Sequence, residues 1–151
     1  MGLISEHLSY TEATHSAMGS RLKLDNTPNE KQLGNMKELA AKVFEPLRGH
    51  FGKPIVVLSM FRSPAVNRAV GGSATSQHMT GEAIDIAATE GFTNADIFYY
   101  IRNHMDFDQL IWEFGDDNNP QWVHVSWNKL RRRKSVLKAR RTNGKTIYSK
   151  A

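Results

Sequence analysis

Three side chains in two short segments have the types and spacing to hold a metal ion. Ser76-Gln77-His78-Met79-Thr80-Gly81-Glu82-Ala83-Ile84-Asp85 places an imidazole and a carboxylate on either side of a glycine, and Trp122-Val123-His124-Val125-Ser126 adds a second imidazole. Two histidines and one carboxylate could give zinc three protein ligands and leave a fourth position for water, which is what a hydrolytic site needs. The chain contains no cysteine, so thiolate sites, disulfides and a cysteine nucleophile are all excluded, and any metal must be held by nitrogen and oxygen.

Around these residues the pattern is coherent. Gly81 allows a tight reversal that returns His78 over the outgoing strand. In that strand Ala83, Asp85 and Ala87 share one face, while Ile84 and Ile86 share the other. A carboxylate among small residues, backed by buried isoleucines, needs a partner. A metal would serve, and so would a salt bridge or a backbone cap. His7, His15, His50 and His104 have no comparable neighbours and read as ordinary surface or core histidines.

The elements that must position the site follow from periodicity and capping. Thr27-Pro28-Asn29-Glu30 predicts a helix start with Thr27 as N-cap and Glu30 as its capping-box partner. Leu33, Met36, Leu39, Val43, Phe44 and Leu47 then recur at helical spacing, for about five turns ending before Gly49 or Gly52. Ile55 to Phe61 predicts a buried strand, Ala65 to Val70 a short helical turn, and Gly71-Gly72 a loop leading to His78. Ala83 to Ala88 is the next strand. Thr93 caps a second helix with Asp96 as its capping-box acid, and strands at 109 to 114 and 122 to 127 flank an Asp-Asp-Asn-Asn-Pro loop. Asn143-Gly144 predicts a terminal hairpin. The expected fold is α+β, with helices packed on a central, largely antiparallel sheet, in one domain spanning residues 1–151.

Charge is unevenly spread. The net charge is +5, yet all fifteen acidic residues lie at or before Asp117 and ten of the twenty Lys and Arg lie at or after Lys129. The first 128 residues therefore carry ten basic against fifteen acidic side chains, and a basic hairpin at about 129–151 carries the rest. Such an end favours polyanions such as anionic envelope polymers, and it also keeps a sheet edge soluble. Arg131-Arg132-Arg133-Lys134 lacks interleaved aromatics and any recognition motif, so no specific nucleic acid is expected as a partner. The N-terminus has no basic segment followed by an apolar one, so no signal peptide is expected.

Ser-x-His-x-x-Gly-x-Ala-x-Asp followed by a distant His-Val resembles the motif of the peptidase M15 family, the zinc D-Ala-D-Ala carboxypeptidases and endolysins. Ile4-Ser5-Glu6-His7-Leu8 and Phe61-Arg62-Ser63-Pro64-Ala65-Val66-Asn67 are similar to elements of its small phage-like branch, subfamily A. The resemblance implies a hedgehog/DD-peptidase-like fold, Zn2+ as cofactor, and His78, Asp85 and His124 as its ligands. It implies Arg62 as a substrate-binding and catalytic residue, able to grip a carboxylate or polarise the scissile carbonyl. Ser76 would bind substrate or fix the loop. The implied activity is hydrolysis of a peptide bond in the stem peptides or cross-links of bacterial peptidoglycan, by a monomeric enzyme made in the cytoplasm of an infected host. It would act on the cell wall after release or as part of a virion.

One departure concerns the catalytic base. Many relatives place an acidic residue three positions before the second histidine ligand and a histidine two positions before, where this chain has Gln121 and Trp122. Glutamine cannot act as a base. If the strands at 109 to 114 and 122 to 127 pair with Glu113 opposite His124, Glu113 reaches the same face and supplies the missing carboxylate. Asp116 and Asp117 are weaker candidates. An inward carboxylate in a salt bridge is the plainer role for Glu113. The alternative function is a zinc-containing wall-binding or virion structural module without hydrolysis.

Overall fold

The computed structural model describes residues 2–151. It has an α+β architecture built on a six-stranded mixed sheet, mostly antiparallel. Strands β3 (Val56–Ser59), β4 (Ala83–Ala87), β5 (Gln109–Glu113), β6 (Trp122–Ser126), β7 (Ser135–Thr142) and β8 (Lys145–Lys150) lie in the order β3-β4-β6-β5-β7-β8. All neighbours are antiparallel except β5 and β7. A small hairpin, β1 (Leu3–Ser5) and β2 (Leu8–Ser9), leads into α1 (Tyr10–Thr14) and α2 (Ala17–Arg21), which the sequence pattern did not announce.

Alternation divides the sheet into two faces. Ile84 and Ile86 of β4, Val123 and Val125 of β6, and Leu110 and Trp112 of β5 are buried in one core, together with Met36, Leu39, Val43 and Leu47 of the long helix and Ile97, Phe98 and Ile101 of α6 (Asn94–His104). Each fully buried Leu, Ile or Phe contributes roughly 1.5–3 kcal/mol by leaving water. Asp85, His124 and Glu113 project from the other face.

The long helix begins two residues later than the Thr27 cap predicts. Its first α-helical segment is α3 (Glu30–Leu39), with Asn29 as N-cap in a reciprocal capping box with Gln32. Thr27 instead donates its hydroxyl to Asp25 at 2.7 Å. Gln32 wins the competition because its amide also donates to the Met79 carbonyl at 3.2 Å, joining the helix to the turn that carries His78. A π-helical segment at Ala40–Phe44 then leads into α4 (Glu45–Phe51), which ends on left-handed Gly52, and the expected short helix after β3 is α5 (Pro64–Ala69). The Thr93–Asp96 capping box of α6 forms as expected.

Two further expectations are corrected. The run from Ile55 to Phe61 yields only the four-residue edge strand β3, with Val56 and Leu58 exposed, because β3 pairs on one side only. The β5–β6 register sets Glu113 opposite Trp122 and Ile111 opposite His124, two residues from the expected pairing. A shift of two leaves every side chain on its face, so Glu113 still shares the face of His124. The terminal hairpin forms with left-handed Asn143 and Gly144 at its turn. No helix among the described residues is long and apolar enough to cross a membrane.

Candidate metal centre and groove

His78 sits on a short 3-10 turn, Gln77–Thr80, capped by Ser76 at one end and by left-handed Gly81 at the other. A β-carbon on Gly81 would come within 2.5 Å of the Gln32 carbonyl, so this position both needs the glycine conformation and lacks room for a side chain. Asp85 and His124 face each other directly across β4 and β6, which pair residue for residue. The sheet and the turn thus bring the three sequence candidates together, with ligand atoms all within 4.8 Å of one another.

The hydrogen bonding makes this a site for a cation. His78 Nδ1 lies 2.6 Å from the Met60 carbonyl, which can only accept, so Nδ1 carries the proton. In the neutral ring Nε2 then presents a lone pair to Asp85 Oδ1, 3.3 Å away. That nitrogen is buried and has no hydrogen-bond partner. Two acceptors facing each other at this distance repel unless a positive charge lies between them. His124 Nδ1 approaches the same carboxylate oxygen at 2.9 Å. Ligands about 2.0–2.1 Å from a tetrahedral zinc stand roughly 3.3 Å apart, so this donor set fits zinc in both chemistry and spacing. Burial pulls the Asp85 carboxyl up, but positive charge placed at His78, together with the hydrogen bond from His124, outweighs it and holds the group well below the usual carboxylate range.

Arg62 and Ser76 join the centre from the other side. The Arg62 backbone N–H donates to the His78 carbonyl at 3.1 Å, and its guanidinium donates to Ser76 Oγ at 3.3 Å. Ser76 Oγ also accepts from the His78 N–H at 3.2 Å, so this serine fixes the loop. Desolvation lowers the Arg62 pKa, while the negative charges of Asp85 and Glu113 raise it. Asn26, absent from the sequence expectations, anchors the chain on both sides of Arg62 by donating to the Phe61 carbonyl at 3.1 Å and accepting from the Ser63 N–H at 2.7 Å.

Glu113 adds a second carboxylate to this face. It is 8% exposed and Oε1 has no partner, so it is not held in a salt bridge. Burial pushes its carboxyl up to about 7; the charge of His124 opposes this and that of Asp85 reinforces it. The buried polar side-chain atoms without partners include Arg62 Nε, His78 Nε2, Glu113 Oε1 and Trp122 Nε1, and all four residues line one groove of about 760 Å³. Buried polar groups are rarely left unpaired, and four in one groove mark a place where a ligand completes the bonding.

The weaker candidates are accounted for by structure. Asp116 accepts the backbone N–H groups of Asn118 and Asn119, and Asp117 pairs with Arg140 at 3.0 Å. The basic segment is also partly neutralised: Arg132 meets Asp106 at 2.5 Å, and Arg133 grips Asp108 through two bonds of 2.8 and 3.0 Å. Asp108 is fully buried and also accepts from Gln77 at 2.9 Å, so it ties the turn of His78 to the root of the β7–β8 hairpin. Nothing local marks Asp108 in the sequence, because its partners stand 31 residues before it and 25 after.

No curated protein matches the chain in sequence. The family model described as Peptidase M15 matches residues 6–126, from the N-terminal hairpin through the last residue of β6, and so takes in all of Arg62, Ser76, His78, Asp85, Glu113 and His124. The chain belongs to the peptidase M15 family.

Proposed function

We propose that the protein is a zinc-dependent peptidase that hydrolyses a peptide bond in the stem peptides or cross-links of bacterial peptidoglycan. The observation that carries this reading is the unpartnered lone pair of His78 facing Asp85, in a groove where Glu113 keeps a free carboxylate oxygen. His78, Asp85 and His124 would hold the metal. When bound, zinc supplies a Lewis acid for the scissile carbonyl and lowers the pKa of water.

The chain's own residues divide the remaining work. Met60 fixes the tautomer and ring plane of His78. Glu113, whose free carboxylate oxygen lines the groove, takes one proton from the attacking water and returns it to the amide nitrogen as the carbon–nitrogen bond breaks. Water thus adds its hydroxyl to the carbonyl carbon and its proton to the departing amine. Arg62, fixed by Ser76 and by the backbone of His78, holds the substrate carbonyl or terminal carboxylate through its free N–H groups. The site of action is the cell wall, reached after release from a bacterial host or as part of a virion.

Digestion of purified peptidoglycan with zinc-loaded wild type, Glu113→Gln and a chelated control tests this reading by mass spectrometry of the products. New peptide termini from wild type alone are expected. No new termini from any sample, with zinc shown to be bound, would favour a wall-binding module without hydrolysis.

A further inference from the structure

The groove does not end at the metal centre. Glu113 pairs with Ala139 of β7, and Ala139 pairs with Tyr148 of β8, so carboxylate, methyl and phenol form one row across three strands. Arg141 lies two residues beyond Ala139, on the same face, and is paired with Thr146. Leu137, Arg141, Thr146 and Tyr148 all line the groove that holds His78, Asp85, Glu113 and His124. The hairpin lies wholly beyond residue 126, where the family match ends.

Arg141 differs from the other arginines of the C-terminal segment, of which Arg131, like Arg133, lies beside Asp108. Lys138 and Arg140 share Asp117, Arg132 has Asp106 and Arg133 has Asp108. Among the described residues Arg141 has no carboxylate partner; its guanidinium rests on the Phe114 ring, 4.9 Å from the centroid. Phe114 is left-handed (φ 57°), at the point where the chain leaves β5, and its ring meets Trp122 edge to face at 5.5 Å. Stacking on an aromatic face leaves the N–H edge of a guanidinium free and already oriented toward a planar anion. Tyr148 lines the same groove, and burial together with the charges of Glu113 and Asp85 pushes its phenol up, so it remains a donor at neutral pH.

We infer that the β7–β8 hairpin is a specificity subsite of this groove, in which Arg141 receives a carboxylate carried by the peptide substrate and Tyr148 donates a hydrogen bond beside it. This rests on the peptidase reading and extends it to the substrate's charge. With strands about 4.8 Å apart and two residues spanning about 6.6 Å, the Arg141 backbone lies about 8 Å from that of Glu113. The recognised carboxylate therefore belongs to a residue within one or two positions of the scissile bond.

The test uses two synthetic stem peptides ending in D-Ala-D-Ala, identical except that one carries a free side-chain carboxylate and the other the carboxamide. Calorimetric titration into zinc-loaded wild type, Arg141→Gln, Tyr148→Phe and the charge-matched outer-face control Lys145→Gln reads binding, and steady-state hydrolysis reads KM and kcat. Wild type and Lys145→Gln should bind the acid at least about tenfold more tightly than the amide, which is about 1.4 kcal/mol. Arg141→Gln should bind the two equally and raise KM with little change in kcat, and Tyr148→Phe should lose part of the preference. Equal binding of both peptides by wild type, or a preference that survives in Arg141→Gln, would overturn the subsite. Selective binding of the acid without cleavage would leave the subsite standing and defeat the peptidase reading; cleavage of both with equal KM would do the reverse, and neither binding nor cleavage would overturn both.

Discussion

His78 donates its Nδ1 proton to the carbonyl of Met60 across 2.6 Å, and this one bond decides which ring nitrogen faces the groove. With Nδ1 committed, Nε2 is aimed at Asp85 as an unpaired acceptor. The first prediction follows. Zinc should stabilise the fold by about 2.7 kcal/mol at a free concentration one hundred times its Kd. Calorimetric unfolding should show the melting temperature rise with zinc and fall with a chelator. Asp85→Asn and His124→Ala should lose the response; a zinc-dependent rise of wild-type size in both would remove these residues from the metal site.

Glu113 links rate and stability in opposite directions. Its carboxyl sits near 7 in the folded chain against 4.5 for the free group, so between those values the folded form keeps a proton that the unfolded form has lost. Stability of the metal-free protein from this group therefore falls as pH rises from about 4.5 to 7 and levels off above. Glu113→Gln should be more stable than wild type at pH 8 and no different at pH 4. In the zinc-loaded enzyme the same change should lower kcat by about 10²–10⁴ and remove the rise in rate with pH that ionisation of Glu113 gives wild type. Denaturation at the two pH values and a pH–rate profile check both halves.

The Asp108 cluster sets an acid limit on the fold. Burial pulls the Asp108 carboxyl up, but hydrogen bonds from the Arg133 side chain and backbone and from Gln77 outweigh it and lower its pKa. Its contribution is present above the unfolded value near 3.9 and is lost as pH falls through the lower folded value. Arg133→Ala leaves a fully buried carboxylate short of its principal partner and should cost about 2–3 kcal/mol at pH 7. The deficit should shrink at pH 3, as measured by urea denaturation; an unchanged deficit would show that lost packing, rather than charge, is responsible.

Two glycines, one ending the turn of His78 and one exposed on α3, should respond with opposite signs. Gly81→Ala meets a positive φ and the Gln32 carbonyl, and should destabilise by about 2–3 kcal/mol while weakening zinc binding through His78. Gly34, exposed in α3 with open space around it, should gain about 0.5–1 kcal/mol on conversion to Ala. Thermal melts of the pair, with zinc titrations for Gly81→Ala, test this.

What could be read from the sequence was whatever depends on local periodicity. The alternation of β4 alone separated Asp85 from Ile84 and Ile86, and the glycine after His78 marked the return of the turn. Quantities set by distant partners were out of reach. The β5–β6 register depends on how many residues the connection from Phe114 to Gln121 consumes, and left-handed Phe114 and Gly115 change that number without any hydrophobic signal. Local sequence pointed to a cap at Thr27, whereas the contact of Gln32 that favours Asn29 is to Met79, 47 residues away. Ile55 to Phe61 looked like an interior strand because its composition cannot report that one flank has no neighbour.

The π-helical segment at Ala40–Phe44 makes one continuous helix serve two azimuths. Ahead of it, Gln32 and Asn35 donate to the carbonyls of Met79 and Thr80, bracing the turn of His78. Beyond it, Glu45 accepts from Ser5 and His7 and clasps the N-terminal hairpin. One residue in an α-helix is worth about 100° of rotation. Removing a single residue from this segment would therefore turn Glu45 by about that angle relative to Gln32 and Asn35, so a fully regular helix could not keep both clients at once.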